Sequence, residues 1–599
     1  MLLRLYPNWK RAGLLALLLG IGLTLVAATR ADDKKLDDKA KVEAKAKADD
    51  KPEPKGDEKP EPKEVTVPPP SGGHPATDTI NKELAKFWAA NSVKPAAKAT
   101  DYEFCRRVYL DIIGRVPAAW EVKAYISDTD VKGKRAKLIT KLMNDPYYKE
   151  DYANNWADIW TTLLITRAAN RTYRDQMNDW LAEEFSKNRP WDQMVRSLLT
   201  AVGSTDGADG GTGADGKEKR DDAGAVNFIL AHLGDNQQKR DEEGQFDMVP
   251  ITSRSVRLFL GVQIQCTQCH DHPFNNEWKQ SHFWGVNAFF RQIERDGQPN
   301  MQANNRNAMA AQLKLKDNRG YNTTNLVYFE DRQAVVKASP PKFLDGKPLP
   351  ANGKKTRREV VSDYFVDHDL FSKAAVNRLW GHFFGRGLCA EPKVDDFGEH
   401  NQVVHPEMLE SVSKKFKEYK YDFKELISWI CNSEAYALSC TANKTNEKTE
   451  HEPYFSRMLL KNMTPEQLFD SLRTALDQPE AIKKPRPGVT KKPGSTRTID
   501  EGRKRAREEW LGRLTRNFGD DEGNEITFNG TVVQALLLMN GREMQTELTR
   551  KDNNTVINAI SKGKGVRGTL DELTLASLGR RATDCGWRQT SALGASRGP

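Results

Sequence analysis

Large apolar residues recur at helical spacing through the first third of the chain, and this pattern constrains the fold more than any other feature. A period of 3.6 residues places such side chains along one face of an amphipathic helix. Trp156 and Trp160, which are four residues apart, are predicted to lie in the core that these faces form. The pattern predicts helices over residues 80–88, 104–113, 120–126, 135–143, 152–164, 177–185 and 191–199.

A second helical region follows a polar segment. Its predicted helices cover residues 375–384, 406–419 and 422–430, with Gly385 as a stop signal and Asp422 as an N-cap. Residues 326–329 and 334–336 are rich in aliphatic and aromatic side chains and are predicted as short strands. The predicted fold class is mainly α, with two helical domains and a small β-containing insert between them, preceded by a signal peptide and a disordered charged linker.

Changes in composition and period set the predicted domain boundaries. In chain order we expect a signal peptide (1–31), a disordered Lys/Asp/Glu/Pro/Ala linker (32–76), a first helical domain (77–299) with a Gly/Asp-rich loop at 203–224, a polar connector with short strands (300–359), a second helical domain (360–480), a helical C-terminal extension (481–583) and an irregular tail (584–599). Residues 210–215 match one copy of a calcium-binding repeat. Because that architecture needs stacked copies, a surface loop is the simpler interpretation.

The N-terminus has the organisation of a secretory signal peptide. Arg4, Lys10 and Arg11 precede an uncharged run at 12–28, and small residues follow around Ala31. The expected location is periplasmic or secreted. Because the run is near the lower length limit for a membrane span, an uncleaved N-terminal anchor is the one membrane association that the sequence leaves open.

The net charge gives no sign of nucleic-acid binding. The formal charge is +9 for 599 residues, and removing Arg4, Lys10, Arg11 and Arg30 with the signal peptide leaves +5. So small an excess over so long a chain is no electrostatic footprint for DNA or RNA. Mean hydropathy is −0.71 and 29% of residues are charged, which excludes a multi-span membrane protein.

Cys266, Cys269 and His270 form the Cys-x-x-Cys-His sequence through which c-type haem is attached. Two thiols three residues apart can add to the two vinyl groups of haem, and the adjacent His presents a ring nitrogen to the iron. Export agrees with this, because c-type haem is attached outside the cytoplasm. The sequence therefore predicts haem c held covalently by Cys266 and Cys269, with His270 as the axial metal ligand.

The sequence does not define a sixth iron ligand. Met248 and His282 are the candidates, of which Met would raise the reduction potential and His would lower it. His272 is too near His270 in the chain to reach the opposite haem face and is expected to make a supporting hydrogen bond. The aromatic residues at 274, 278, 283–284 and 289–290 are expected either to cover the haem or to form helix core.

Two other interpretations of the cysteines remain open. A structural zinc site could use Cys266, Cys269 and either His272 or His282. Alternatively, Cys266 and Cys269 could form a disulfide with no role in redox chemistry.

A polar cluster precedes the helix predicted to begin at residue 406. It could line a hydrolytic site or be a capped loop between two helices, and it comprises Asp395, Asp396, Glu399, His400 and His405. Two other short matches in the sequence carry no function. Residues 563–568 follow a predicted helix rather than the strand that a dinucleotide fingerprint needs, and the kinase-like tripeptide at 396–398 has no accompanying kinase motifs.

Six segments resemble a known domain pair. The first three are FCRRVYLDIIGRVP at 104–117, NRPWD at 188–192 and CTQCHDHPF at 266–274; the others are VNRLWGHFFGRG at 376–387, HPEML at 405–409 and NSEAY at 432–436. Together they resemble the planctomycete secreted cytochrome-like domain of unknown function followed by its companion planctomycete C-terminal domain. The resemblance covers about residues 80–480, and the tail departs from the family pattern after about Leu578.

The expected function is an exported c-type haem protein in envelope electron transfer or in redox support of a partner enzyme. The alternative is a non-redox binding or scaffold protein of the cell envelope, related to polysaccharide handling, with a structural Cys/His metal site or disulfide. An envelope redox partner or a polysaccharide-related protein is the expected partner, and the sequence leaves open whether the chain is an enzyme.

Cys105 lies in an apolar stripe and is expected to be a buried free thiol.

Overall fold

The computed structural model describes residues 73–167, 171–204, 222–297, 313–476, 511, 555–563 and 565–583. The predicted signal peptide, the linker up to residue 72, the calcium-repeat match at 210–215, the segment 512–554 and the tail from residue 584 lie outside these ranges.

The first seven helices coincide with the seven stripes predicted from the sequence. They are α1 (Pro75–Ala90), α2 (Asp101–Ile113), α3 (Ala119–Ile126), α4 (Lys134–Asn144), α5 (Lys149–Ile165), α6 (Arg171–Ser186) and α7 (Trp191–Thr200). Gly114 ends α2 in the left-handed conformation (φ 74°), and its amide donates to the carbonyl of Leu110. A glycine adopts this conformation without the steric cost that a side chain would add.

Shorter helices precede and follow the Cys-x-x-Cys-His segment. They are α8 (Val226–Leu230), α9 (Arg240–Glu243), α10 (Val249–Leu260) and α11 (Gln280–Asn287), with a 3₁₀ turn at Gln265–Gln268 between the last two. The apolar-rich stretch at residues 255–264, just before the segment, predicts a helix to residue 264, and this prediction is wrong. Helix α10 ends at Leu260, because Gly261 takes a left-handed conformation with φ 68°.

In the described part of the chain, five short strands make two small antiparallel sheets. They are β1 (Gly203–Ser204), β2 (Ile293–Asp296), β3 (Lys314–Asp317), β4 (Val327–Glu330) and β5 (Val336–Ser339). In the three-stranded sheet β3 lies between β1 and β2, and Gly203 pairs with Leu315. The strand predicted at 326–329 corresponds to β4, whereas the one predicted at 334–336 overlaps β5 only at Val336; in this hairpin Val327 pairs with Ser339.

The second region is again helical, which confirms the mainly α prediction for the described residues. Its helices are α12 (Arg357–Asp367), α13 (Asp369–Phe384), α14 (Pro406–Glu418), α15 (Phe423–Cys431), α16 (Pro465–Ala475), α17 (Thr555–Lys562) and α18 (Gly565–Leu578). Gly385 ends α13 with φ 82°, and the Asp422 carboxylate caps α15 by accepting the amide of Glu425.

The two helical regions share one hydrophobic core. Phe423 of the second region lies among four aromatic rings of the first, with centroid distances of 5.2 Å to Trp191 and 5.8 Å to Phe185. Trp156 and Trp160, predicted as core residues, are each 1% exposed and also contact Phe423. The second region therefore packs directly on the first, which places loops of both regions around the Cys-x-x-Cys-His segment.

Candidate functional site

The Cys-x-x-Cys-His segment is a 3₁₀ turn anchored by a buried threonine. The Thr267 amide and hydroxyl both donate to the carbonyl of Ile264, at 2.9 and 2.7 Å. Thr267 is fully buried, whereas Cys266, just before it, is half-buried and Cys269, two residues after it, is exposed. Both thiols are free and both are reached from the protein surface. Burial raises the pKa of Cys266, and the negative charge of Asp396 raises it further.

His270 is held so that one ring nitrogen is available. Its Nδ1 lies 2.6 Å from the carbonyl oxygen of Asp271. A carbonyl can only accept, so Nδ1 carries a proton, and in the neutral ring Nε2 keeps its lone pair. Metal-binding histidines have this arrangement, in which the second nitrogen donates to a carbonyl or carboxylate.

The two nearby histidines have the opposite arrangement. Nδ1 of His272 accepts the amides of Phe274 and Asn275, at 3.2 and 2.9 Å. Nδ1 of His282 accepts the amide of Lys279 at 3.2 Å. An accepting Nδ1 places the ring proton on Nε2, so a neutral ring of this kind offers no lone pair there. This geometry favours the supporting role expected for His272 and disfavours His282 as an iron or zinc ligand.

Met248, the other candidate sixth ligand, lies inside the core. It precedes α10 in a left-handed conformation (φ 55°), and its side chain is fully buried. Its carbonyl accepts the Thr252 hydroxyl at 2.6 Å, which fixes the start of the helix. Among the described ranges, no three His, Cys, Asp or Glu side chains are placed to share a metal ion.

The aromatic residues after the segment differ in burial. Phe283, Phe289 and Phe290 are fully buried in the core, as the helix-core interpretation expects. Phe274 is 74% exposed beside the segment. Trp284 is half-buried. Its ring stacks on that of Phe329 in the β4–β5 hairpin, with centroids 5.8 Å apart.

The carbonyl of Gln268 ties the segment to α11 and to the hairpin. It accepts Nε1 of Trp284 at 3.1 Å and Nε2 of Gln280 at 3.2 Å. The same Gln280 amide group donates to the carbonyl of Glu330 at 2.8 Å, and the Gln280 backbone amide donates to the Asp271 carboxylate at 2.9 Å. These bonds hold the turn from the side of the first helical region and the insert.

A loop of the second helical region holds the segment from the other side. The guanidinium of Arg257 donates to the carboxylate of Asp395, and Nε2 of Gln263 donates to the same carboxylate at 3.4 Å. The amide of Phe397 donates to the carbonyl of Gly261 at 2.8 Å. A Cβ at Gly261 would lie 2.8 Å from the Phe397 ring, so this close approach requires glycine.

Beyond Phe397 the same loop reaches the residues that follow the segment. The rings of His272 and His400 lie 5.4 Å apart at 36°. A Cβ at Gly398 would lie 2.5 Å from Nδ2 of the buried Asn275, so the Gly398 backbone closely approaches the Asn275 side chain. Nε2 of His400 lies 3.1 Å from the Asp396 carboxylate. Sequence reasoning missed Asn275 and Arg257, because neither belongs to a recognisable local pattern.

The predicted polar cluster is only partly assembled. Asp395, Asp396 and His400 lie beside the Cys-x-x-Cys-His segment, whereas Glu399 is exposed. His405 is buried elsewhere, with Nε2 donating to the carbonyl of Pro453 at 2.8 Å and its ring 4.4 Å from that of Phe87. The cluster therefore contributes to the surroundings of the haem-type motif, and His405 has a structural role.

A separate cavity of about 170 Å³ lies between the two helical regions. Asp111 lines it and accepts Nζ of Lys461 at 2.7 Å and the hydroxyl of Tyr436 at 2.8 Å. His382 also lines it, with Nε2 donating to the Asp111 carbonyl at 2.9 Å. A cavity of this size can hold a molecule about as large as benzene.

The family comparisons find two domains in the chain. Residues 79–295 match the family PSCyt2, a protein of unknown function (DUF1549), and residues 360–593 match PSD1, a protein of unknown function (DUF1553). No curated protein and no solved structure shows significant similarity to the chain. Within the ranges that the structure describes, no helix has the length and apolar character needed to cross a membrane. The Cys-x-x-Cys-His segment comes from the first domain and the Asp395–His400 loop from the second, and the chain belongs to the proteins that join a PSCyt2 domain to a PSD1 domain.

Proposed function

We propose that this protein is an exported c-type haem protein that transfers electrons in the cell envelope or gives redox support to a partner enzyme there. The observation that carries the proposal is the state of His270, whose Nδ1 donates to a main-chain carbonyl beside two accessible thiols. This donor set fits haem c, because the two cysteines can form thioether bonds while Nε2 of His270 binds iron. Bound haem would supply one-electron chemistry.

The surroundings of the segment favour a held cofactor over thiol chemistry. A dithiol oxidoreductase needs an attacking cysteine with a lowered pKa. Burial and the charge of Asp396 instead raise the pKa of Cys266. The anchoring of Thr267 and of the Gln268 carbonyl keeps the turn in one conformation, which suits a cofactor that must be presented in a fixed orientation.

Haem staining after denaturing electrophoresis tests the proposal. The full chain, expressed in a host with the haem c attachment machinery, should give a stained band. The Cys266→Ser/Cys269→Ser double variant should give none, and Cys440→Ser, which removes a thiol far from the motif in the chain, should stain like the wild type. A colourless wild-type band would overturn the proposal. Stoichiometric zinc without iron would support the non-redox scaffold alternative instead.

The axial role of His270 has its own spectroscopic test. His270→Ala should change the Soret and visible absorption bands of the wild-type protein, because the iron loses its imidazole ligand. His272→Gln is the matched control, since the His272 ring accepts backbone amides and should leave the iron ligation unchanged. An unchanged spectrum in His270→Ala would remove His270 as the ligand.

Export is part of the same proposal, and N-terminal processing tests it. The mature protein recovered from the cell envelope should begin at Asp32, after the Thr29–Ala31 site. A chain that keeps its first 31 residues would instead be held by an N-terminal anchor.

A further inference from the structure

The PSD1 domain contributes a buried carboxylate next to the Cys-x-x-Cys-His segment. Asp396 is 7% exposed and lies between Asp395, which Arg257 and Gln263 hold, and Phe397, which is bonded to Gly261. Both anchors reach residues just before the segment. The position of Asp396 relative to Cys266 is therefore fixed by contacts between the two domains.

The charge of Asp396 is only partly balanced by its neighbours. His400 donates to it from Nε2 at 3.1 Å, and Lys393 approaches it with Nζ at 3.5 Å. The Lys393 side chain is 47% exposed, so solvent screens its charge far more than that of the buried carboxylate. The carboxylate lies close to the motif, because His400, which it contacts, has its ring 5.4 Å from that of His272, two residues after His270.

A fixed negative charge beside a haem changes the equilibrium between its two oxidation states. Ferric haem carries one more positive charge than ferrous haem, so a nearby carboxylate stabilises the ferric form and lowers the reduction potential. The effect is larger at a buried site, where the effective dielectric constant is lower than that of water.

We infer that Asp396 of the PSD1 domain lowers the reduction potential of the haem held by Cys266, Cys269 and His270, with His400 and Lys393 positioning and partly balancing its carboxylate. The inference rests on the proposed function. It gives the PSD1 domain a role in setting the reduction potential of the haem held by the PSCyt2 domain. In this role Asp396 acts through its charge and does not bind the iron.

Spectroelectrochemical titration of the haem-loaded full chain tests this inference. Asp396→Asn should shift the midpoint potential to a more positive value, because it removes the charge and keeps the shape. Lys393→Gln should shift the potential the opposite way, because it removes the balancing cation at an exposed position where folding is not at risk. Glu399→Gln, in the same loop but exposed, should leave the potential unchanged.

The outcomes separate this inference from the proposed function. A wild-type protein without haem overturns both. A haem-loaded protein whose potential is the same in the wild type, Asp396→Asn and Lys393→Gln keeps the proposed function and overturns the inference. Asp396→Glu checks the cause, since it keeps the charge and should give a potential close to the wild-type value. Equal shifts in Asp396→Glu and Asp396→Asn would indicate a structural effect and would also overturn it. If Asp396→Asn does not fold, the sign of the Lys393→Gln shift decides the matter.

Discussion

The guanidinium of Arg257 is hydrogen-bonded to the carboxylate of Asp395, and this bond joins the helix leading into the Cys-x-x-Cys-His segment to a loop of the PSD1 domain. Asp395 is 3% exposed, and Gln263 donates to its other oxygen. The conformation of the segment therefore depends on both domains. This dependence gives a physical reason for the two domains to occur together in one chain.

Removing the Asp395 carboxylate should loosen the segment and destabilise the protein. Loss of one partner of a buried ion pair costs about 3–5 kcal/mol, because the remaining charge stays buried without its counter-ion. We expect Asp395→Ala to lower the free energy of unfolding by roughly 3 kcal/mol in denaturant titration, since Arg257 is 18% exposed and partly solvated. Hydrogen exchange of residues 261–275 should be faster than in the wild type. Asp395→Asn should have a smaller effect, and unchanged exchange in Asp395→Ala would contradict the coupling.

The thiols should react with an alkylating reagent in an order set by their exposure. In haem-free protein Cys269 should be labelled first, because it is exposed, and Cys266 more slowly, because it is half-buried and burial raises its pKa. Cys105, Cys389 and Cys431 are buried, and burial raises the pKa of Cys389 to about 12. Timed labelling with peptide mass spectrometry measures the order. The structure confirms Cys105 as a buried free thiol, and its labelling as fast as Cys269 would contradict that burial.

The helices could be predicted from the sequence because their signals are local. The 3.6-residue period identified the buried faces, and Gly114 and Gly385 marked helix ends where the chain takes a positive φ. The period does not say which surface covers a given face. For this reason the packing of Phe423 among Trp156, Trp160 and other rings could not be predicted from the sequence. Strand β1 could not be predicted either, because its two residues are too few to show a period.

The residues of the candidate site that could bind haem were predictable from the sequence. The groups that surround and contact those residues were not. The spacing of Cys266, Cys269 and His270 is visible in the sequence, but ring protonation depends on which backbone groups face each nitrogen. That distinction separates His270 from His282. The contact between His272 and His400 joins two distant parts of the chain, and such pairings are decided by packing between domains.

Arg358 should be among the most sensitive positions in the described part of the chain. Its side chain is 1% exposed, donates to both oxygens of Asp317 at 2.7 and 2.9 Å, and donates to the carbonyls of Leu199 and Ala201. We expect Arg358→Leu to lower the free energy of unfolding by about 3–5 kcal/mol, because a carboxylate and two carbonyls lose their donor. Lys354→Ala, at a nearby exposed position, should change it by less than about 0.5 kcal/mol. Equal effects of the two variants in urea titration would refute the assigned role.

Stability should fall in mild acid because two histidines are buried in the neutral form. Burial lowers the pKa of His382 and that of His232 to about 4, from an ordinary value of 6.5. Between these values the unfolded chain binds a proton at each site that the folded chain does not, so lowering the pH favours unfolding. The contribution of each neutral histidine is fully present above pH 6.5 and is lost as the pH falls to about 4. The linkage amounts to roughly 3 kcal/mol per residue at most.

A variant without the titrating ring should remove part of this pH dependence. In His382→Gln the amide nitrogen can still donate to the carbonyl of Asp111, as Nε2 of His382 does, but it takes up no proton. Thermal unfolding between pH 7.5 and 4 should show a smaller loss of stability for His382→Gln than for the wild type, and the remaining loss should come from His232 and from other buried histidines such as His405, whose pKa burial also lowers. Comparing each variant with itself at pH 7.5 separates this effect from any change in packing. If the wild type and His382→Gln lose stability in parallel down to pH 4, His382 already carries its proton in the folded state, and the burial argument fails for it.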